Sequence, residues 1–391
     1  YYKKGGEKAG VKVIPSRLSM LTKRINNDRG VCYYCGQCGR SCGIYADFSA
    51  SSCLVFPAQR SSQGRLDLYV NSMVREVKVN KQGKPTGIIY INKDDNKEYS
   101  ITAKVIILAA SACESARILL NSKSSQHPTG LGNSSNMVGK YLHDSTGADR
   151  MGFIPDLMNR KTYNEDGLGG MHLYSPWWLD NKKLDFPRGY HIEIGGGLGV
   201  PMYGFGFNFN SLNKYLGLET GGYGENIRKD IKKFYGSTLY LAGRGESIAR
   251  IDNYCEIDPN TKDKYGIPVL RFNYKWSDHE RKQAKHMNET FEEIISNIGG
   301  HMMWSAPGKD QDYGLKSPGE IIHEVGTTRM GDDPNKSVVN KFEQLHDANN
   351  VFIVDGGPFV SQADKNPTWT IMALSWRTSE YIVEELKKQN I

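Results

Sequence analysis

Four cysteines near the start of the sequence have a spacing that suits metal binding. They are Cys32, Cys35, Cys38 and Cys42, within a stretch of eleven residues. A disulfide scaffold spreads its cysteines along the chain, whereas closely spaced thiols converge on a metal or a metal cluster. Gly36 and Gly39 allow the short loops between them to curl. The sequence therefore predicts a metal centre within residues 28–58.

The order Cys-x2-Cys-x2-Cys-x3-Cys is the spacing that holds iron–sulfur clusters in bacterial ferredoxins. In ferredoxins the fourth cysteine of the run serves a second cluster, but this chain has a single run. Three ligand sets therefore stay open: Cys42 completes a 4Fe-4S cluster, Cys53 completes it, or a 3Fe-4S cluster uses three cysteines. Structural zinc and a thiol–disulfide relay are the alternatives to iron and sulfide.

Size and composition limit the class of protein. The 391 residues exceed what one hydrophobic core usually organises, so we expect two domains. The net charge of +7 is spread along the chain without a basic block, which excludes a typical nucleic-acid binder. The longest strongly apolar stretch, residues 105–110, is too short to cross a bilayer, so we expect no transmembrane segment.

The elements before residue 121 follow from hydrophobic periodicity. Alternation predicts an antiparallel meander over residues 66–70, 73–79 and 87–91. Residues 105–108 are apolar on both faces, as a central parallel strand requires. Ser111 and Glu114 form a capping box, which predicts a helix over residues 112–120. This strand–turn–helix unit is typical of nucleotide-binding α/β sheets.

The remaining chain predicts a different architecture in its middle. Residues 145–275 carry short alternating runs that predict a mainly antiparallel sheet, which could wall a substrate pocket. Trp177, Trp178 and Tyr190 could stack on a sugar ring, although core packing is the more common role of such residues. A helix starts at Ser277, and its predicted apolar face comprises Met287, Phe291, Ile294, Ile295 and Ile298.

Two stretches near the end and one near residue 140 resemble conserved motifs of the glucose–methanol–choline (GMC) oxidoreductases. The first runs from His323 through Glu324-Val325-Gly326 to Pro334. The second comprises a buried strand at residues 351–355 followed by Asn366-Pro367-Thr368 and a helix. The third covers residues 131–142. Together they anchor roughly residues 60–150 and 320–391.

This resemblance implies an α/β (α+β) fold with a Rossmann-like FAD-binding domain and a substrate domain with a mainly antiparallel sheet. Residues 1–58 would be a cysteine-rich segment, residues 59–150 and 320–391 the FAD-binding domain, and residues 151–319 the substrate-binding domain. The glycine fingerprint Gly-x-Gly-x-x-Gly, which the family places after its first strand, is missing here. We expect it either in residues that precede this sequence or in a second polypeptide.

The resemblance also implies site residues. His323 and Asn366 would face the reactive edge of FAD. Neutral imidazole, with a pKa of about 6.5, suits removal of a hydroxyl proton as hydride leaves the carbon, and Asn366 can hold the hydroxyl without taking its proton. Cofactor contacts carried over from the family are Val74, Ala109, Ala110, Asp355, Gly356, Pro367 and Thr368. Asn366 is also a plausible helix cap, with Pro367 at the first helical position.

A GMC subgroup with cysteines just before the flavin-domain strands resembles this chain more closely. That resemblance implies a sugar or polyol substrate, electron transfer through the cluster to a cytochrome or quinone, a small accessory subunit and a periplasmic location. An oxygen-using oxidase with structural zinc is one alternative. A non-catalytic electron-transfer or scaffold subunit is another.

Overall fold

The computed structural model of the protein describes residues 1–16, 18–35, 41–160, 171–176, 184–196 and 209–391. The chain forms two compact units. Unit 1 comprises Tyr1–Leu68, Thr146–Gly245 and Asp278–Lys316, and unit 2 comprises Tyr69–Ser145, Glu246–Ser277 and Ser317–Ile391. Each unit encloses its own apolar core. Among the described residues, no helix combines the length and apolar character that crossing a membrane requires.

The helices are α1 (Tyr2–Lys8), α2 (Phe56–Ser61), α3 (Ala112–Asn121), α4 (Phe209–Leu216), α5 (Glu225–Phe234), α6 (Asp278–Ser296) and α7 (Thr368–Lys387). The strands are β1 (Ile14–Pro15), β2 (Ser72–Val79), β3 (Pro85–Asn92), β4 (Glu98–Thr102), β5 (Ile106–Leu108), β6 (Thr146–Phe153), β7 (Met171–Pro176), β8 (Tyr190–Gly196), β9 (Thr238–Gly245), β10 (Tyr254–Lys262), β11 (Pro268–Asn273), β12 (His301–Met302) and β13 (Val351–Ile353).

Unit 1 is built on an antiparallel sheet, as the sequence predicts. Its six strands are ordered β1-β7-β8-β9-β6-β12. Helix α6 packs on one face, and its predicted apolar residues Met287, Phe291, Ile294 and Ile295 are fully buried. The sheet carries glycine where the helix comes close, since a Cβ on Gly243 would lie 2.5 Å from Met287 Sδ. Trp177 and Trp178 lie outside the described residues, and the buried Tyr190 packs in this core.

Unit 2 combines an antiparallel meander, β2-β3-β4, with the hairpin β10-β11 and the parallel pair β5-β13. The predicted strand–turn–helix unit is confirmed, because α3 follows β5 after a short turn. The predicted strand at residues 66–70 is wrong. This stretch is exposed throughout and forms no ladder, so its alternation reflects no buried face.

Two elements of unit 2 expose large apolar side chains. Helix α7 carries Trp369 at 78% and Trp376 at 72% exposure, and its only buried residues are Thr378 and Ile382. The parallel strand β5 also departs from the prediction of two buried faces, because Ile107 is 50% exposed. Both elements therefore leave large apolar side chains exposed.

Candidate active site

The two residues predicted to carry out the chemistry lie side by side in unit 2. Asn366 Nδ2 is 3.2 Å from His323 Nε2, although the residues are 43 positions apart in the sequence. Asn366 is exposed and His323 is partly exposed, so a small molecule can reach this face. The pair can hold an alcohol oxygen between an amide and an imidazole nitrogen.

The other ring nitrogen of His323 faces the interior. Ser145 Oγ lies 3.3 Å from His323 Nδ1, and the amide of Gln362 lies 2.9 Å from the same oxygen. Ser145 is fully buried and Gln362 is only 2% exposed. The imidazole is thus held from behind by buried polar groups while its Nε2 edge is accessible.

A buried carboxyl group fixes the backbone at this point. Asp144 Oδ1 accepts hydrogen bonds from the backbone N–H groups of His323, at 3.0 Å, and Ser145, at 2.7 Å. Burial, reinforced by the nearby charge of Glu324, raises the pKa of Asp144 to about 6. Asp144 therefore links the segment that carries His323 to the segment that carries Ser145.

The His323 motif is further fixed by a short antiparallel bridge between His143 and Val325, with N–H···O distances of 3.0 and 2.8 Å. Gly326 then turns away with φ +98°, and a Cβ there would lie 2.4 Å from Tyr141 O and 2.6 Å from His143 Nδ1. Only glycine meets both demands, because the left-handed backbone and the close approach exclude a side chain.

The predicted cofactor residues Ala109, Ala110 and Asp355 lie at the carboxyl ends of the parallel pair. Leu108 and Ile353 are paired, so the residues that follow β5 and β13 share one edge. Ala109 and Ala110 are exposed, whereas Asp355 is buried. The Asp355 carboxylate accepts hydrogen bonds from Gly357 N at 2.8 Å and from the Ser115 hydroxyl, so it joins this turn to α3.

Helix α7 begins at Thr368, one residue later than predicted, and Asn366 does not cap it. The side chain of Asn366 is directed to His323 instead, and no side-chain cap is present. Pro367 has helical torsion angles but precedes the helix. The first N–H groups of α7 are therefore open to a ligand, because Thr368 and the next two residues are exposed.

The remaining predicted cofactor contacts are less accessible. Val74 lies in β2, pairs with Tyr90, and packs against the core of unit 2. Gly356 is buried, and its carbonyl accepts the Gly326 N–H at 3.0 Å. Packing explains the position of Val74, and a backbone hydrogen bond explains that of Gly356, without any contact to a cofactor.

The predicted metal centre is described in part, because Cys38 lies outside the described residues. Cys32, Cys35 and Cys42 all lie close enough to Tyr33 to raise its pKa, with the Cys35 hydrogen bond as the largest cause. Cys32 Sγ accepts the Tyr34 N–H at 3.4 Å, and Cys42 Sγ accepts the Ala46 N–H at 3.3 Å. Within the described ranges, no group of three potential ligands is already arranged around a metal position.

Cys53 is engaged differently. Its thiol lies 3.8 Å from the Asp47 carbonyl and 3.5 Å from the Ser52 hydroxyl, and Cys53 itself belongs to a short π-helical segment, Ser51–Val55.

Sequence reasoning missed three residues of the site, Asp144, Ser145 and Gln362. Asp144 and Ser145 lie two and three positions after the recognised motif at residues 131–142, and Gln362 lies four positions before Asn366. Polar residues next to a motif were the available signal, but nothing in their type indicated that they would be buried together behind His323.

Two sequence models of the GMC oxidoreductase family match the chain, the N-terminal one over residues 4–146 and the C-terminal one over residues 252–375. The 2-methyl-1,2-propanediol dehydrogenase of Mycolicibacterium austroafricanum is 30% identical over 81% of this chain and 54% of its own length. The fructose dehydrogenase large subunit of Gluconobacter japonicus is 23% identical over 85% of this chain and 57% of its own length. The chain thus spans little more than half of these relatives.

A solved structure gives the same picture of the fold. The pyridoxine 4-oxidase from Mesorbium loti superposes with a TM-score of 0.60 at 15% identity, covering 86% of this chain and 61% of the other. This likeness supports the mixed α/β architecture alone.

Proposed function

Because the chain belongs to the GMC oxidoreductase family, we propose that it forms the larger part of an FAD-dependent dehydrogenase that oxidises a hydroxyl group of a sugar, glycoside or polyol. The observation that carries this proposal is the 3.2 Å contact between His323 Nε2 and Asn366 Nδ2 on an accessible surface. The names of the diol and fructose dehydrogenases support the substrate class.

The residues around the β5–β13 edge fit an anionic dinucleotide such as FAD. Ala109 and Ala110 are small and exposed at the carboxyl end of β5, where such ligands approach a parallel sheet. The uncapped start of α7 offers N–H donors and the positive end of a helix dipole. Thr368 and Pro367 would lie against the cofactor, which would accept the hydride when bound.

The chemistry that this chain contributes is proton removal and orientation. The amide of Asn366 would hold the alcohol oxygen against His323. His323 Nε2 would then take the hydroxyl proton as the carbon loses hydride. The buried contacts on Nδ1 prevent the ring from turning, so the geometry is ready before the substrate binds.

We extend the proposal to an iron–sulfur cluster bound by Cys32, Cys35, Cys38 and either Cys42 or Cys53. Support comes from the thiol donors and from the N–H groups of Tyr34 and Ala46, which already point at two sulfur atoms, as amides do around such clusters. Cytochrome or quinone acceptors, and an accessory subunit, follow from this proposal.

The test is turnover of the flavin-loaded, full-length protein that contains this chain, with a dye acceptor and a panel of sugars and polyols. His323→Ala should lower kcat by at least about 100-fold while flavin content stays unchanged. Turnover that survives in His323→Ala would contradict the proposal and favour a non-catalytic subunit.

Metal analysis separates the remaining alternatives. Iron with labile sulfide supports electron transfer to a protein or quinone, whereas zinc together with hydrogen peroxide production supports an oxidase.

A further inference from the structure

We propose that Ser145 and Gln362 are positioning residues that fix the position of the proton on neutral His323, keeping the lone pair on Nε2. This inference rests on the proposed function, because it assigns a role to groups behind the proposed base. It concerns two side chains that do not reach the substrate face.

The relay is a short line of polar groups that runs from the accessible face of His323 into the interior. Asn366 meets His323 Nε2 at 3.2 Å, Ser145 Oγ meets Nδ1 at 3.3 Å, and Gln362 meets Ser145 Oγ at 2.9 Å. Asp144 fixes the backbones of both Ser145 and His323. Ser145 and Gln362 are almost entirely buried, so water cannot take the place of either residue as a hydrogen-bond partner.

Counting donors and acceptors determines which group donates to which along this line. A neutral imidazole has one donor and one acceptor nitrogen. If the Asn366 amide donates to Nε2, then Nδ1 carries the proton and donates to Ser145 Oγ. The Ser145 hydroxyl must then donate to Gln362, which accepts only through its amide oxygen.

The state of Gln362 supports this direction. With its nitrogen toward Ser145, the Gln362 oxygen is a buried acceptor with no donor among the described groups. A half-turn of the amide, which exchanges nitrogen and oxygen, gives that oxygen the Ser145 hydroxyl and gives up the longer 3.4 Å contact from the Gln362 nitrogen to the Lys365 carbonyl. The resulting order runs from His323 through Ser145 to Gln362 and places the lone pair of the ring on Nε2.

The experiment measures the reactivity of His323 separately from turnover. Diethyl pyrocarbonate acylates an imidazole nitrogen only when that nitrogen is unprotonated. The rate of His323 labelling is measured against pH on the holoenzyme by peptide mass spectrometry. The midpoint of this curve gives the pKa of His323, and its plateau gives the reactivity of the neutral ring. Gln362→Glu should raise the midpoint by about one pH unit, because a carboxylate stabilises the imidazolium through Ser145. The acidic limb of the kcat/KM profile should move with it.

Two further variants remove the relay without adding charge. Ser145→Ala and Gln362→Met should lower the plateau of labelling and kcat several-fold, with KM nearly unchanged. Gln344 is the matched control, because it is also buried in unit 2 but bonds to Asn340 and Asn349. Gln344→Met should leave both the midpoint and the plateau as in the wild type.

The outcomes separate this inference from the proposed function. If His323→Ala abolishes turnover but folded Gln362→Glu and Gln362→Met keep the wild-type midpoint and plateau, the relay is wrong and the dehydrogenase proposal stands. If His323→Ala retains turnover, the proposed function itself fails.

Discussion

Asp144 and His323, 179 residues apart in the sequence, are joined by a hydrogen bond of 3.0 Å from the His323 backbone N–H to the Asp144 carboxylate. The same oxygen accepts the Ser145 N–H. One buried side chain therefore determines where both the imidazole and its inner partner lie.

Removal of this carboxyl group should displace the imidazole. We expect Asp144→Ala to lower kcat by about 10- to 100-fold, because a displacement near 1 Å is sufficient for such a loss. The free energy of unfolding should fall by about 1–3 kcal/mol, since two buried N–H groups lose their acceptor. Asp144→Asn keeps an oxygen at this position and should retain most of the wild-type kcat and most of the wild-type stability. Steady-state kinetics and thermal unfolding check the pair, and equal losses in the two variants would contradict the argument.

Glu343 should make stability depend on pH. Burial raises the pKa of its carboxyl group from 4.5 to about 7, although Thr378 donates a hydrogen bond to it at 2.7 Å. The folded protein therefore keeps this proton where the unfolded chain releases it. The stability contributed by Glu343 is complete below pH 4.5 and is lost as the pH rises through 7.

We therefore expect Glu343→Gln to match the wild type in melting temperature under acidic conditions. Above neutral pH the variant should be more stable by about 1–3 kcal/mol, because it carries no buried charge. Melting curves across this range check the prediction. A constant difference at every pH would show that Glu343 has the same pKa in the folded and unfolded states, which would contradict the prediction.

Gly326→Ala should damage the site without touching His323. The new Cβ would lie 2.4 Å from Tyr141 O, and the backbone has a left-handed φ of +98°. We expect a loss of about 2–4 kcal/mol in stability and a large drop in kcat. Gly299→Ala is the control, because Gly299 has a positive φ of 70° but nothing within 4 Å of an added Cβ. Similar effects of the two substitutions would mean that backbone strain alone matters.

Cysteine substitutions should identify the cluster ligands. We expect Cys35→Ser to remove most of the iron and labile sulfide and to leave the flavin bands in place. Comparison of Cys42→Ser with Cys53→Ser then identifies the fourth ligand, since the ligand substitution loses iron and the other does not. Cys113→Ser, in α3, serves as the control. Full iron content in Cys35→Ser would argue against the cluster.

The sequence predicts much of unit 2 because its signals are local. Two-sided apolarity of β5 was sufficient to predict a strand–helix unit, and the motifs around His323 and Asn366 predicted that these two side chains lie together, as they do. The cap role of Asn366 was wrong because a tertiary contact with His323 replaces the local one. Ser145 and Gln362 could not be predicted, because their role depends on burial behind a residue distant in sequence.

The position of β5 in a two-stranded sheet has a consequence for handling the protein. Among the described strands, only β13 pairs with β5, so the backbone groups along its other edge are available as a template for strand addition. Because Ile107 and the two tryptophans of α7 also expose apolar surface in the same unit, the chain should self-associate as its concentration rises.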